Sequence, residues 1–97
     1  MKTEQYYLTK LAEECSEVAQ IALKTQQFGM EESMPGQPFT NRERCHQEIN
    51  DLLAIIQVLN ENHAFGFEAD QEAIAKKKTK VLKYLEYSTQ LGEVREE

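Results

Sequence analysis

The chain has 97 residues, with 17 acidic against 11 basic side chains and a net charge of −6 at neutral pH, the size of a single domain spanning 1–97. That balance excludes a sequence-independent binder of nucleic-acid polymers, which rests on basic surface, but not a nucleotide held through a cation. No run of about 20 apolar residues and no leader pattern is present, so the expectation is a soluble, cytoplasmic protein without membrane attachment.

Taken in order, the chain opens with an amphipathic helix from about Thr3, a candidate N-cap, to about Thr25. At about 100° per residue, Leu8, Leu11, Cys15, Val18 and Ala22 form its apolar stripe. Glu14 and Glu17 lie on the shoulder of that stripe with Ile21, and Glu13 points to solvent. Periodicity fades near Gln26, and Phe28 to Phe39 reads as a loop, because Pro35-Gly36 and Pro38 rule out a regular helix. A short helical turn fits inside it.

Thr40 or Asn41 caps the second helix, and Thr40-x-x-Glu43 fits the capping box, in which each side chain takes the other's orphan backbone N–H. This helix continues to about Asn62. Cys45, Leu52, Ile55, Ile56 and Leu59 share one face, with Glu48 near its middle and Asp51 on its edge. Cys15 and Cys45 thus read as small buried hydrophobes of a reduced protein. Asn62 to Phe67 forms a turn whose two phenylalanines pack beneath it. The third helix starts near Asp70, an N-cap candidate, and runs to about Leu91, with Gly92 as the residue that ends it. Ile74, Val81, Leu82 and Leu85 form its stripe, and Glu93 to Glu97 make a frayed, charged tail. The fold class is therefore all-α, a helical bundle of three long helices per chain. Helices of this length leave apolar edges that further copies would cover, which points to a homodimer or a dimer of dimers.

An ionised carboxylate buried without a partner costs several kcal/mol, roughly, even after relaxation. Glu14-x-x-Glu17 and Glu48-x-x-Asp51 are both i,i+3 acidic pairs beside or within an apolar face. Antiparallel packing of the first two helices brings all four together, which is tolerable when a cation sits among them. With oxygen ligands and no histidine in the set, Mg²⁺ or Mn²⁺ fits better than zinc. Glu43-x-x-His46 matches half of a di-iron carboxylate signature, but it lies away from this face and has no second copy.

The segment Leu11-Ala12-Glu13-Glu14-Cys15-Ser16-Glu17-Val18, followed by Gln47-Glu48-Ile49-Asn50-Asp51-Leu52-Leu53, resembles the MazG-like all-α nucleoside triphosphate pyrophosphohydrolases, known by an E-x-x-E…E-x-x-D pattern. The likeness extends over most of the chain, with a long spacer of thirty residues between Glu17 and Glu48. It implies that Glu14, Glu17, Glu48 and Asp51 are Mg²⁺ ligands and catalytic groups. It implies hydrolysis of a nucleoside triphosphate between its α and β phosphates, to the monophosphate and pyrophosphate. Related proteins carry a Lys, an Asn four residues on, then a basic residue and a Tyr. Here Lys76, Lys80, Lys83 and Tyr84 occupy that frame, with Lys80 in place of the Asn.

The lysines of helix three read either as a solvated basic face or as groups that neutralise phosphate. Lys76, Lys80 and Lys83 lie opposite Ile74, Val81 and Leu85, so they reach a site only at a pocket rim or through another subunit. In the middle loop, Phe28 could stack on a base and Gln37 or Asn41 bond its edge. The competing reading has Phe28 and Phe39 plugging the open end of the bundle and Asn41 capping a helix. The alternative to an enzyme is an inactive acidic bundle that senses nucleotides or binds proteins.

Overall fold

The computed structural model describes residues 1–95. It is all-helical, with α1 at Thr3–Phe28, α2 at Asn41–His63 and α3 at Gln71–Gln90, and no strand among the described residues. Two compact units divide it: residues 1–67 hold α1 and α2, and α3 belongs to the unit that begins at Glu68.

The first unit is an antiparallel hairpin. The Tyr7 ring near the start of α1 lies 5.7 Å from the His63 ring at the end of α2. At the other end, the Thr25 hydroxyl meets the Cys45 sulfur at 3.3 Å. The inward side chains of α1 are Tyr7, Leu11, Glu14, Val18, Ile21 and Thr25, and those of α2 are Asn41, Cys45, Glu48, Leu52, Ile55 and Leu59. Both rows alternate steps of four and three, the spacing of a seam between two helices crossing at a shallow angle. Ile21 and Leu59 are its fully buried apolar residues among those described.

This seam corrects the expected stripe of α1. Leu11 and Val18 face inward, but Leu8, Cys15 and Ala22 are exposed. Glu14 moves from the shoulder to the seam itself. Of the expected stripe, only Leu8, Cys15 and Ala22 are turned away from α2. Cys15 is therefore not a buried hydrophobe, whereas Cys45 is half-buried, and both thiols are free.

Local chemistry sets the helix ends. Lys2, not Thr3, is the N-cap of α1, and its N–H donates to the Gln5 side chain at 2.9 Å. The helix runs on past Thr25 to Phe28 and stops at Gly29, whose φ of +96° suits a residue without a Cβ. Thr40 caps α2 in the expected box: its hydroxyl accepts from the Glu43 N–H at 3.2 Å, and the Glu43 carboxylate accepts from the Thr40 N–H at 2.9 Å. That carboxylate sits below the usual range because the Thr40 backbone N–H, and then its hydroxyl, hold the charged form. A role for Glu43 in a di-iron site is thereby closed.

Between the helices there is no helical turn. The Gln37 N–H donates to Met34 O at 2.9 Å, closing a turn over Pro35-Gly36. The loop is pinned to α2 by Asn41, which is 2 % exposed. Its side-chain amide donates to Gly29 O at 2.9 Å and to the Glu32 carboxylate at 3.0 Å. Arg42 adds an ion pair to Glu31. Past α2, Asn60 clamps Phe67 through two hydrogen bonds of 2.9 Å, but Phe65 and Phe67 do not pack beneath the turn and stay exposed.

In the second unit the Asp70 carboxylate caps α3 by accepting from the Ala73 N–H at 3.0 Å. The helix closes at Gly92, φ +80°, whose N–H donates to Thr89 O at 3.0 Å. Ile74, Val81, Leu82 and Leu85 are exposed along it. Of the expected frayed tail, Glu93 is tied to Ser88 O at 3.0 Å, while Glu96 and Glu97 lie outside the described residues.

Candidate metal centre

The two acidic pairs face each other half-way along the hairpin. One carboxylate oxygen each from Glu14, Glu17 and Glu48 lies within 4.8 Å of the others. Glu14 and Glu48 are half-buried seam residues, and Glu17 is exposed at the edge. Asp51 is exposed and outside that trio, yet its charge is felt by both Glu14 and Glu48. Glu13, as expected, is on the surface, paired to Lys10 at 3.0 Å.

The electrostatics of the trio are those of crowded like charges. Glu14 is pushed above the ordinary carboxylate range, first by desolvation and then by the charges of Glu17 and Asp51. Glu48 is pushed the same way, first by desolvation, then by its hydrogen bond with Glu17 and the charges of Glu17 and Asp51. Each has a buried oxygen, Oε2, with no hydrogen-bond partner. Native proteins rarely leave buried polar atoms orphaned, and a missing ligand is a common reason for one.

The donors fit a hard divalent cation. Mg²⁺ holds oxygens at about 2.0–2.1 Å, so its opposed ligands stand about 4 Å apart and its adjacent ones about 3 Å. The 4.8 Å ceiling of the trio is slightly wider, and small rotations of long glutamate side chains close that gap. An all-carboxylate set matches Mg²⁺ or Mn²⁺ and lacks the nitrogen or sulfur that zinc sites favour.

Beside the trio runs a cleft of about 280 Å³ between α1 and α2, lined by Glu17, Gln20, Ile21, Lys24, Arg44 and Glu48. Its basic residues were not singled out in the sequence, although helical spacing contains the signal. Arg44 stands one turn before Glu48, and Lys24 lies seven residues after Glu17, on the same row.

The remaining sequence candidates fall elsewhere. Phe28 is the last residue of α1 and 52 % exposed, and Phe39 is exposed too, so neither plugs the end of the hairpin. Asn41 does not cap α2, since Thr40 does, and its amide N–H groups are spent on the loop. Gln37 is exposed in the loop. Lys76, Lys80, Lys83 and Tyr84 lie along α3 in the second unit, all exposed; Lys76 reaches Glu72 at 3.8 Å.

The chain matches no family model, no curated protein and no solved structure.

Proposed function

We propose that this protein is a divalent-cation-dependent nucleoside triphosphate pyrophosphohydrolase of the MazG-like kind, with Glu14, Glu17, Glu48 and Asp51 as the cation-holding groups. The observation that carries this reading is the meeting of three glutamates on two helices, with orphaned oxygens on Glu14 and Glu48. The order E-x-x-E…E-x-x-D supports it from the sequence side.

A triphosphate is too negative to enter an acidic cleft unassisted. Mg²⁺ held by Glu14, Glu17, Glu48 and Asp51 would supply a more acidic water and neutralise charge on the phosphoryl oxygens. The protein's part is positional. The seam brings Glu14 and Glu48 together on facing helices. One of Glu14 and Glu17 orients that water and takes its proton. The water oxygen bonds to the α phosphorus, and the bond from that phosphorus to the bridging oxygen breaks. Its electron pair leaves with pyrophosphate.

The assembly is part of the same proposal. Leu8, Cys15 and Ala22 on α1, and Ile49 and Leu53 on α2, are exposed apolar rows on the hairpin, and a second copy is their occupant in a homodimer or dimer of dimers. Lys76, Lys80, Lys83 and Tyr84 then contribute to phosphate binding through that assembly. If Lys80→Glu together with Lys83→Glu leaves turnover and KM unchanged, that part is dead.

No helix among the described residues is long and apolar enough to cross a membrane, in keeping with a freely diffusing substrate. The decisive experiment is pyrophosphate release from a panel of ribo- and deoxyribonucleoside triphosphates, with and without Mg²⁺. Release that needs the metal and vanishes in Glu48→Ala is expected. Release that survives Glu48→Ala overturns the site, and a panel without any turnover favours an inactive nucleotide-sensing or protein-binding module.

A further inference from the structure

The cleft beside the glutamates has two chemical ends. Glu17 and Glu48 line one, and Lys24 and Arg44 line the other. Because α1 and α2 run antiparallel, both cations are displaced from their acidic neighbours in the same direction, toward the loop end of the hairpin. Arg44 is one helical turn from Glu48, about 6 Å along the axis, and Lys24 is about two turns from Glu17.

Opposite charges sharing one cleft ordinarily collapse into ion pairs. Here they do not: among the described residues neither Lys24 nor Arg44 is within ion-pairing distance of a carboxylate. Arg44 is half-buried, and its Nη1 is buried without any hydrogen-bond partner. A guanidinium nitrogen withdrawn from water and left unpaired calls for an anionic acceptor. The acceptor has to reach an open cleft of about 280 Å³, and phosphate groups fit that space.

We propose that Lys24 and Arg44 form the pyrophosphate-binding end of this cleft, with Arg44 on the β phosphate and Lys24 on the γ phosphate of the substrate. The assignment rests on the pyrophosphohydrolase reading for its orientation, since the α phosphate must lie at the glutamates. Arg44, nearer the glutamates, faces the oxygen that gains negative charge as the bond breaks. Its planar fork can hold two phosphate oxygens at once. Lys24, exposed at the mouth, supplies a compact charge to the terminal group. This end of the cleft selects for chain length: a triphosphate engages both residues and a diphosphate one.

The test is isothermal titration of inorganic pyrophosphate into the full chain with Mg²⁺ present, alongside hydrolysis assays. Arg44→Met is expected to weaken pyrophosphate binding at least tenfold and Lys24→Met several-fold, with Mg²⁺ affinity unchanged in both. Arg44→Lys should recover only part of the loss. Lys24→Met should weaken binding of a triphosphate more than that of the matching diphosphate. Lys24 is exposed, so its variant tests the site even if Arg44→Met folds poorly.

Unchanged pyrophosphate affinity in Lys24→Met and in a folded Arg44→Met overturns the assignment. So does an Arg44→Met protein that loses only thermal stability and Mg²⁺ affinity, the mark of a mere counterion. Wild-type hydrolysis with unaltered pyrophosphate binding in both variants sinks this assignment alone. Arg44-dependent pyrophosphate binding without hydrolysis of any triphosphate sinks the enzyme reading alone.

Discussion

Glu48 is under opposed demands. Without a cation its carboxylate is half-buried among Glu14, Glu17 and Asp51 and destabilised by all three. With one, those same charges would serve as ligands. Glu48→Gln is therefore expected to raise the melting temperature of the metal-free protein by a few degrees, since an uncompensated carboxylate is replaced by a neutral group. Added Mg²⁺ should stabilise the wild type and leave the variant unmoved, and turnover should fall at least about a hundredfold. Calorimetric melts with and without Mg²⁺ check both halves; a variant less stable than the metal-free wild type contradicts the electrostatic account. Asn41 makes a simpler case. Its two amide hydrogen bonds hold the loop to α2, so Asn41→Leu should cost about 1–3 kcal/mol in urea unfolding, because two part-buried hydrogen bonds are lost. The acidic pairs were legible in the sequence because a carboxylate inside an apolar row stands out. Arg44 and Lys24 were not, because a basic residue on an acidic chain reads as a solvated partner until the cleft around it is seen.

The helix starts and stops follow from short-range chemistry, which is why most could be read from sequence: Thr40-x-x-Glu43, Asp70 and Gly92 all act as their residue types imply. Lys2 was missed because the bond at that end comes from Gln5 rather than from a capping side chain. The α1 seam was turned by one residue for a different reason. Apolar periodicity ranks Cys15 and Ala22 above a glutamate and so puts Glu14 on the shoulder, although it occupies the position that α2 meets. The Glu43 cap also carries a pH signature. Its carboxylate is held below its ordinary value by Thr40, so the folded state binds that proton less readily than the unfolded chain. The stabilisation is present above the unfolded pKa, about 4.3, and is lost as pH falls through the lower folded value. Glu43→Gln should lower stability at neutral pH and flatten the acid limb of the stability curve. Urea midpoints measured between pH 3 and 7 test this, and parallel curves for the two proteins would refute it.

For the molecule as a whole, the quantity that matters is how little apolar surface the described units hide. The hairpin fully buries Ile21 and Leu59, while Leu8, Leu23, Ile49 and Leu53 remain exposed on it. On α3, every residue from 71 to 87 is exposed, with Ile74, Val81, Leu82 and Leu85 among them. A hairpin with so few buried apolar residues is the kind of unit that association ordinarily stabilises. Sequence periodicity found the inward face of α2 but merged inward and outward residues on α1 and did not single out Ile49 and Leu53. Leu8, Cys15 and Ala22 on α1, with Ile49 and Leu53 on α2, are the outward ones. Paired Ile49→Glu and Leu53→Glu substitutions place charges where a partner copy would exclude water. Light scattering at micromolar concentration should give a dimer or tetramer for the wild type and a shift of tenfold or more in dissociation constant, about 1.4 kcal/mol, for the double variant. The carboxylate trio lies wholly within one hairpin, so Mg²⁺ affinity per chain should survive dissociation in any variant that stays helical by circular dichroism. A wild type that scatters as a monomer, or a double variant that associates as before, removes these rows as the interface.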